Sequence, residues 1–420
     1  MSAPAPGDGR KGEHYDALET RDPEAREREL VARLPRQVAH ARAKSAHFAR
    51  VLAGVDPREI TTRKALAALP VTRKSDLLEL QAKELPFGGL NATPASGLAR
   101  IFVSPGPIFD PEGRAPDYWR SARALFAAGF RAGDVALNCY SYHFTPAGSM
   151  FETGLLRIGC AVIPAGVGQT ELQAKAIAML RPSGYVGTPS FLKIILEKCA
   201  ELGVDAGSLE RASVSGEAFL PPVREFVRAR GLEGFQSYGT ADLGLIAYET
   251  SAHEGLVVDE EVLLEIVRPG TGEPVPEGEV GEVVVTAFNA DYPLVRFATG
   301  DLSAVLAGRS PCGRTNLRIK GWMGRADQTT KIRGLFVHPQ QVAEVLRRHA
   351  LARGRLVVEN EAGEDRMILR VEHEGPAQAG LAKLVEASLR DVTKLRGEVH
   401  VVGSGALPND GKVIEDARSY

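Results

Sequence analysis

The sequence predicts an α/β protein: a large N-terminal domain of parallel-sheet α/β units with a β-rich subdomain, followed by a small α+β C-terminal domain. Three observations predict this fold. Apolar strand-like runs alternate with longer helical patterns between about residues 99 and 239, which is typical of parallel sheets. Between residues 256 and 305, clusters of Gly, Pro and Glu separate short apolar runs, as in hairpins. Near the C-terminus, helical and strand patterns alternate again. We expect domains at residues 1–323 and 324–420, with the β-rich subdomain at about 256–323.

The first elements are expected to be helices. Leu30, Leu34 and Val38 recur at helical spacing with charged residues between them, which predicts an amphipathic helix within about residues 23–52. Shorter helices follow, with an interruption at Pro70.

The α/β units are expected to begin with the strand RIFVS, the proline-rich loop SPGPIFDPEG and a helix that starts near Asp117. The next units read DVALNCYSY, GSMFETGLLRIG, CAVIPAG, ELQAKAIAML and GYVGTPS. Ligands of open α/β sheets bind at the carboxyl ends of the strands. This rule makes five loops candidates for a site: SYHFTP, AGVGQT, VGTPS, VSGEA and SYGTAD.

The C-terminal domain is expected to contain a helix at HPQQVAEVLRRHA, where Pro339 suits the first helical turn. The strand patterns GRLVVENE and RMILRVEHE follow, and then the helical pattern LAKLVEASLRDVTKL. We therefore expect a compact α+β unit in this part of the chain.

Charge and composition exclude several classes of protein. The 420 residues include 51 basic and 53 acidic side chains, for a net charge of -2, which does not fit a nucleic-acid binder or a polybasic membrane binder. No stretch approaches the ~20 apolar residues of a membrane span, and the polar N-terminus lacks the apolar core of a secretory signal. We expect a cytoplasmic protein. The four cysteines lack metal-ligand spacing, so we expect them reduced and expect no zinc.

The order of the motifs resembles the phenylacetate-coenzyme A ligase family, within the adenylate-forming superfamily. The resemblance extends from about His14 to the C-terminus and is carried by VIPAGVGQTELQ, GTPSFL, SGEAF, YGTADLG, TGEPVPEGEVGEVVVTAF, PLVRFATGDL, CGRTNLRIKGWMGRAD, KIRGLFVHPQQVAEVL and LPNDGK. It implies that a carboxylic acid reacts with ATP to an acyl-adenylate and pyrophosphate, and that coenzyme A then forms the thioester and releases AMP. It also implies Mg²⁺ as a cofactor and a homodimer.

The resemblance implies a nucleotide site. Asp301 in FATGD matches the aspartate that accepts hydrogen bonds from both ribose hydroxyls, a task suited to two carboxylate oxygens. Tyr238 matches the aromatic residue that stacks on adenine, and Asp242 stands where the family has an acidic magnesium ligand. Alone, each has an ordinary structural explanation: a turn for Asp301 and a buried strand end for Tyr238. The nucleotide-binding residues implied are Ser215, Gly216, Glu217, Ala218, Tyr238, Gly239, Thr240, Asp301 and Arg325. Ser215 could instead cap a helix.

The resemblance of the C-terminal motifs implies that the small C-terminal domain is mobile and rotates between the two reaction steps. Lys412 matches the lysine that reaches the carboxylate and the α-phosphate during adenylation, although an exposed lysine is more often only solvated. Asp327 lies at the inter-domain hinge of the family. The loop that faces coenzyme A after rotation is matched by Lys331, Arg333 and Gly334.

The loop after DVALN matches the border of the family's acid pocket. Its aromatic residues are Tyr140, Tyr142, His143 and Phe144, which could form the walls for a flat aryl acid. Each could pack in the core instead, and for His143 packing is the simpler reading.

The chain departs from the family in its phosphate loop. Where the family has approximately SSGTTGKPT, this chain has SPGPIFDP, which keeps Ser104 and Gly106. The prolines cannot donate N–H groups, and Asp110 puts a negative charge in place of a lysine. Ala241 also replaces a hydroxyl residue that contacts the α-phosphate.

Two interpretations follow. The first is a slow but real ligase, in which Arg114 or Arg120 helps to hold the phosphates. The alternative is an impaired homologue that binds AMP, acyl-CoA or the acid, or that accepts a preformed adenylate. A Rossmann-type dehydrogenase is disfavoured because no G-x-G-x-x-G loop follows a strand.

Overall fold

The computed structural model of the chain describes residues 13–104, 107–326, 328, 330–332, 335–361, 364–375 and 380–418. The helices are α1 (Pro23–Lys44), α2 (Ala46–Val51), α3 (Arg63–Ala67), α4 (Leu77–Lys83), α5 (Ser121–Ala127), α6 (Ala147–Ile158), α7 (Thr170–Leu180), α8 (Pro189–Glu201), α9 (Pro221–Arg228), α10 (Pro339–Arg348) and α11 (Leu381–Thr393). Within the described ranges, no helix has both the length and the apolar character that crossing a bilayer requires.

The strands fall into five sheets over the described residues. They are β1 (Thr72–Arg73), β2 (Arg100–Ser104), β3 (Ile108–Glu112), β4 (Val135–Asn138), β5 (Ala161–Pro164), β6 (Gly184–Gly187), β7 (Arg211–Val214), β8 (Glu233–Thr240), β9 (Gly244–Tyr248), β10 (Leu256–Val258), β11 (Val262–Val267), β12 (Gly281–Ala287), β13 (Phe297–Ser303), β14 (Val305–Leu306), β15 (Arg318–Ile319), β16 (Thr330–Ile332), β17 (Leu335–Val337), β18 (Gly354–Glu361), β19 (Glu364–His373), β20 (Glu398–Gly403) and β21 (Ile414–Asp416).

The N-terminal helix is confirmed, in two pieces. Asp22 caps α1 by accepting a hydrogen bond from the Ala25 amide, and Pro23 occupies the first turn. Leu30, Leu34 and other buried residues at the same spacing form one apolar face against the core. At Ser45 the chain leaves α1, and the Ser45 side chain caps α2.

The proline-rich stretch is not a loop between a strand and a helix, so that expectation was wrong. Strands β2 and β3 pair antiparallel, with Ser104 opposite Ile108 and Phe102 opposite Asp110. The last residues of the stretch therefore form a strand, and Asp110 lies inside a hairpin. The Gln81 side chain in α4 accepts a hydrogen bond from the Phe109 amide and donates one to the Phe109 carbonyl. These two bonds hold β3 against α4.

The next helix starts four residues later than expected. Asp117 and Arg120 have φ values of 51° and 65°, in the left-handed region. The Asp117 carboxylate accepts hydrogen bonds from the Ala122 amide and the Ser121 hydroxyl, so a turn precedes α5 instead of its first helical residues.

The alternating pattern does produce a parallel sheet. Strands β5, β4, β6, β7 and β8 pair parallel in that spatial order, and β9, β10, β15 and β14 extend the sheet by antiparallel pairing. The loops at the carboxyl ends of β4, β5, β6, β7 and β8 therefore lie at one edge. These are the five loops expected to border a site.

The β-rich subdomain is also confirmed. Strand β13 pairs with β12, which pairs with β11, while the short β1 joins the other side of β13 in parallel. Its core is shared with the N-terminal helices through Leu34, Val285 and Phe297, each fully buried.

The C-terminal part has its own apolar core. Strands β20, β19, β18 and β21 form a sheet in that order, and Val342, Leu369 and Leu389 from helices and sheet pack together. Pro339 starts α10 as expected. A separate core supports the division near residue 324, which stays a prediction.

Candidate functional site

Asp301 is buried at the centre of a polar cluster, here called the Asp301 cluster (Tyr238, Asp301, Trp322 and Arg325). Its Oδ2 atom accepts a hydrogen bond from the Tyr238 hydroxyl at 2.9 Å. Its Oδ1 atom accepts from Trp322 Nε1 at 3.1 Å and from Arg325 Nη1 at 3.0 Å. The Asp301 side chain is 12% exposed, so three donors stabilise a nearly buried negative charge.

Gly300 makes this arrangement possible. Its φ of +76° favours glycine, and a Cβ at this position would lie 2.8 Å from Arg325 Nη2. The backbones of Asp301 and Arg325 also form a β-bridge. The Gly300–Asp301 pair therefore has a structural role, because glycine permits the turn, and a chemical one, because the missing side chain lets Arg325 approach the Asp301 carboxylate.

Tyr238 reaches the cluster from the end of β8. The pairing of β8 with β9 shifts register between Tyr238 and Gly239, and a Cβ on Gly239 would lie 2.5 Å from the Gly244 carbonyl oxygen. Burial and the nearby Asp301 charge raise the pKa of Tyr238 well above its usual value, so the hydroxyl stays a donor. Thr240 turns away from the cluster, since its hydroxyl accepts from the Leu243 amide.

Asp242 forms a second buried group, here called the Asp242 cluster (Lys74, Asp110 and Asp242). The Lys74 ammonium lies 2.6 Å from Asp242 Oδ2, and the aspartate side chain is 1% exposed. The other oxygen, Oδ1, is buried without a hydrogen-bond partner in the described part of the chain. A hard cation prefers such carboxylate oxygens.

Asp110 comes to this cluster from the hairpin. It is fully buried, and neither carboxylate oxygen has a hydrogen-bond partner among the described residues. Burial and then the Asp242 charge raise the pKa of Asp110 to about 7; Ser104 and Lys74 oppose this shift. Ser104 is near, but its groups do not meet hydrogen-bond geometry with the carboxylate. An unsatisfied buried carboxylate is costly.

The two arginines expected to help with phosphates are engaged elsewhere. Arg114 donates to the carbonyls of Gly97 and Leu98. Arg120 donates to Asp259 and to two backbone carbonyls. Both guanidinium groups therefore serve to hold the fold in this structure.

The Ser215–Ala218 loop follows β7 at the expected sheet edge. The Ser215 amide donates to the Gly187 carbonyl at 3.3 Å, and Glu217 Oε1 accepts from the Ser190 amide at 2.6 Å. These bonds join the loop to the start of α8. Gly216 has a φ of +87°. Ser215 is not a helix cap, because α9 begins only at Pro221.

The aromatic residues after β4 have different environments. Tyr140 is buried and stacks on Phe151, with ring centroids 4.8 Å apart. The Tyr142 hydroxyl donates to Glu152 Oε2 at 2.6 Å. His143 is exposed, and Phe144 is 75% exposed. Tyr140 therefore also packs in the core, and an aryl pocket formed by these residues stays a prediction.

The loop that carries Lys412 lies against the sheet beside Asp301. A Cβ on Gly411 would lie 2.5 Å from Val280 Cγ1 and 3.1 Å from Leu302 Cδ1, and Leu302 directly follows Asp301. Lys412 is exposed and lines a cavity of about 560 Å³ between residues 268–280 and the C-terminal part.

Several predicted residues cannot be placed. Gly106, Asp327, Arg333 and Gly334 lie outside the described residues, and for Lys331 only the backbone, in β16, is described.

Sequence reasoning missed two residues that the structure brings to these clusters, Lys74 and Trp322, and misplaced a third, Asp110. Lys74 lies 168 positions from Asp242, and no local pattern links them. Trp322 lies two positions before the matched GRAD motif, and this closeness is the available signal. Asp110 was recognised only as a lost lysine, because the hairpin that buries it was not expected.

The chain is similar to known proteins over most of its length. A family model described as AMP-binding enzyme matches residues 117–289. The phenylacetate-coenzyme A ligase of Thermus thermophilus is 33% identical over 365 residues, which cover 82% of this chain and 80% of the relative. The phenylacetate-coenzyme A ligase of Escherichia coli is 29% identical over 388 residues, with 86% of each chain covered.

The fold is shared with a solved structure. A 2-hydroxyisobutyryl-CoA ligase, crystallised in the postadenylation state with R3-HIB-AMP, superposes with a TM-score of 0.72 at 23% identity, covering 98% of this chain and 93% of that one. Together with the Thermus relative, these matches extend over nearly all of the elements described above. The chain belongs to the phenylacetate-coenzyme A ligase family.

Proposed function

We propose that this protein is an ATP-dependent acid–thiol ligase that joins a carboxylic acid to coenzyme A. A carboxylate oxygen attacks the α-phosphorus of ATP, and the bond to pyrophosphate breaks. The coenzyme A sulfur then attacks the acyl carbon of the adenylate, AMP leaves, and the thiol proton passes to solvent. The proposal places this chemistry in the cytoplasm and in a homodimer.

Asp301 is the observation that carries the proposal. Its carboxylate is nearly buried, is held by three donors and lies next to the segment that bears Lys412. Two oxygens on one rigid carboxylate suit the two neighbouring hydroxyls of a ribose. In this role, Trp322 and Arg325 hold the carboxylate in place, Tyr238 adds an aromatic surface, and the Ser215–Ala218 loop borders the purine.

The Asp242 cluster would face the phosphates. Among the described residues, Asp242 Oδ1 and both oxygens of Asp110 are buried without hydrogen-bond partners, and this donor set fits Mg²⁺, which takes one or two carboxylates together with phosphate oxygens. The cation would neutralise phosphate charge during adenylation. Asp242 is the ligand that the family pattern supports.

Lys412 would act at the first step. Its ammonium would stabilise the charge that develops between the attacking carboxylate and the α-phosphate. Rotation at the predicted hinge, Asp327, would then bring the loop with Lys331, Arg333 and Gly334 towards coenzyme A. An aryl acid next to the Tyr140–Phe144 loop is the substrate class we expect.

One observation favours a second candidate, a homologue that binds AMP or an acyl group without using ATP. Asp110 places a buried carboxylate beside Asp242, where a triphosphate would need positive charge. Such a protein would keep the Asp301 cluster and lose productive binding of the pyrophosphate portion. It could accept a preformed adenylate.

Calorimetric titration separates the two candidates. We expect Mg-ATP to bind at least as tightly as AMP, and a panel of aryl acids with coenzyme A then to give acid-dependent pyrophosphate release. Binding of AMP without binding of ATP would favour the second candidate. If neither nucleotide binds, the first candidate is wrong, and of the second only a protein that binds an acyl group remains.

The Lys412→Ala variant tests the proposed first step. We expect pyrophosphate release to fall about a hundredfold or more, because a developing charge loses its counter-ion, while AMP binding stays unchanged. Lys394→Ala is the matched control, since Lys394 lies at the exposed end of α11. Equal release from wild type and Lys412→Ala would remove the proposed role.

A further inference from the structure

Gln328 makes four hydrogen bonds that join two distant segments. Its Nε2 atom donates to the Arg325 carbonyl at 3.0 Å and to the Gly411 carbonyl at 3.2 Å. Its Oε1 atom accepts from the Val413 amide at 2.5 Å and from the Ile414 amide at 2.8 Å. A glutamine amide offers two donors and two acceptor lone pairs, so this side chain is fully used.

The partners determine how the amide is oriented. Two carbonyl oxygens lie on one side of the Gln328 side chain, and two N–H groups lie on the other. The reverse orientation would place acceptor against acceptor and donor against donor. The side chain therefore ties the backbone on both sides of Lys412 to the backbone of Arg325.

Other contacts hold the same loop from its far side. Asn409 Oδ1 accepts from the Val280 amide at 3.2 Å, Arg355 forms an ion pair with Asp410, and the Lys412 amide donates to Asp410 Oδ1. Lys412 itself is exposed. A lysine side chain is long and flexible, so the backbone beneath it decides which region the ammonium can reach.

We propose that Gln328 is a positioning residue for adenylation: it fastens the Lys412 loop to Arg325 and thereby holds Lys412 beside the Asp301 cluster. This inference rests on the proposed function. Gln328 acts through Lys412 and touches neither acid nor nucleotide. Its contribution is needed when Lys412 acts, and the attack of coenzyme A on a finished adenylate does not need it.

Amide hydrogen exchange tests the contact without any activity. In Gln328→Ala we expect the Val413 and Ile414 amides to exchange about tenfold faster than in wild type, because they lose a buried acceptor. Gln340→Ala is the matched control, since Gln340 is exposed on α10 in the same part of the chain. Unchanged exchange in Gln328→Ala would overturn the proposal, whether or not the protein proves to be a ligase.

A double-mutant cycle tests the role. We expect acid-dependent pyrophosphate release to fall about tenfold in Gln328→Ala, while thioester formation from a supplied acyl-adenylate changes less than twofold. In the Lys412→Ala background, the same substitution should cause no further loss, because Gln328 acts through Lys412. Equal losses in both half-reactions, or additive losses with Lys412→Ala, would indicate a general structural role and overturn the proposal. Absence of pyrophosphate release in wild type would instead count against the proposed function and leave the exchange result to decide the contact.

Discussion

The Asp301 cluster and the Asp242 cluster both bury carboxylates, but they satisfy them very differently. Asp301 has a donor for each oxygen and a third from Arg325. Asp110 has no hydrogen-bond partner in the described part of the chain, and Asp242 has one unpartnered oxygen. Under the proposed assignment, the difference means that the nucleoside portion of the site is formed before any ligand arrives. The proposed phosphate portion requires a further charge or proton to become favourable.

The largest effect should come from removing the satisfied carboxylate. In Asp301→Ala we expect AMP affinity to fall about a hundredfold or more, because two charge-assisted hydrogen bonds to ribose are worth about 3 kcal/mol or more together. Calorimetry with AMP measures this loss. Asp301→Asn keeps the shape of the side chain and should lose nearly as much.

A nucleotide without ribose hydroxyls provides the control. Wild type should bind 2′,3′-dideoxy-AMP as weakly as Asp301→Ala binds AMP, and the variant should not distinguish the two nucleotides. If the variant still prefers AMP, then Asp301 is not the ribose acceptor, and the contrast between the clusters loses its functional meaning.

Removal of the charge of the unsatisfied carboxylate, Asp110, should stabilise the protein. Asp110→Asn should stabilise the free protein by about 2 kcal/mol at pH 8, because burial of an unpaired charge is removed. Thermal unfolding in the absence of Mg²⁺ measures this gain. The Asp301→Asn variant is the matched comparison and should be destabilised instead, since it weakens three existing contacts.

The pH dependence of this gain has a definite sign. Burial raises the pKa of Asp110 to about 7 in the folded chain, from an ordinary aspartate value of 3.8. The folded state therefore holds a proton that the unfolded state has lost, and the stabilising contribution falls as pH rises from about 4 through 7. The advantage of Asp110→Asn over wild type should grow across this range and level off above it. An advantage independent of pH would mean that the pKa of Asp110 is the same in the folded and unfolded states, so that burial does not raise it.

The Asp301 cluster could be predicted in part from the sequence, because the motifs that carry Asp301, Tyr238 and Arg325 are local patterns. The same patterns predicted the parallel sheet, since alternation is a local property. Lys74 could not be predicted, because a tertiary contact across 168 positions leaves no mark in one sequence.

The hairpin was missed for a related reason. Prolines in SPGPIFDPEG indicate a loop by local rules. In the structure, however, Pro111 of β3 pairs with Ile101 of β2, so strand pairing overrides the local preference. Burial of Asp110 follows from that pairing. The helix start was displaced because Asp117 and Arg120 adopt left-handed conformations, which sequence patterns rarely reveal for residues other than glycine.

The smallest effect should come from Trp322, which can show whether the Asp301 cluster responds to a nucleotide. The sequence has two tryptophans; Trp119 is 1% exposed and Trp322 is 48% exposed. Trp322→Phe removes one donor to Asp301 and should weaken AMP binding threefold to tenfold, as expected for one partly exposed hydrogen bond.

The fluorescence of Trp322 can show whether the Asp301 cluster and the Asp242 cluster respond to ligands separately. AMP should change the emission of Trp322, because ribose hydroxyls and the indole N–H share the Asp301 carboxylate, whereas pyrophosphate with Mg²⁺ should not. In Trp322→Phe the AMP-dependent change should disappear, while Trp119→Phe should retain it. A response to pyrophosphate as large as that to AMP would mean that the two clusters are coupled, so that occupancy of the phosphate portion is felt at Asp301. Independent responses would instead support a nucleoside portion that is complete in the free protein.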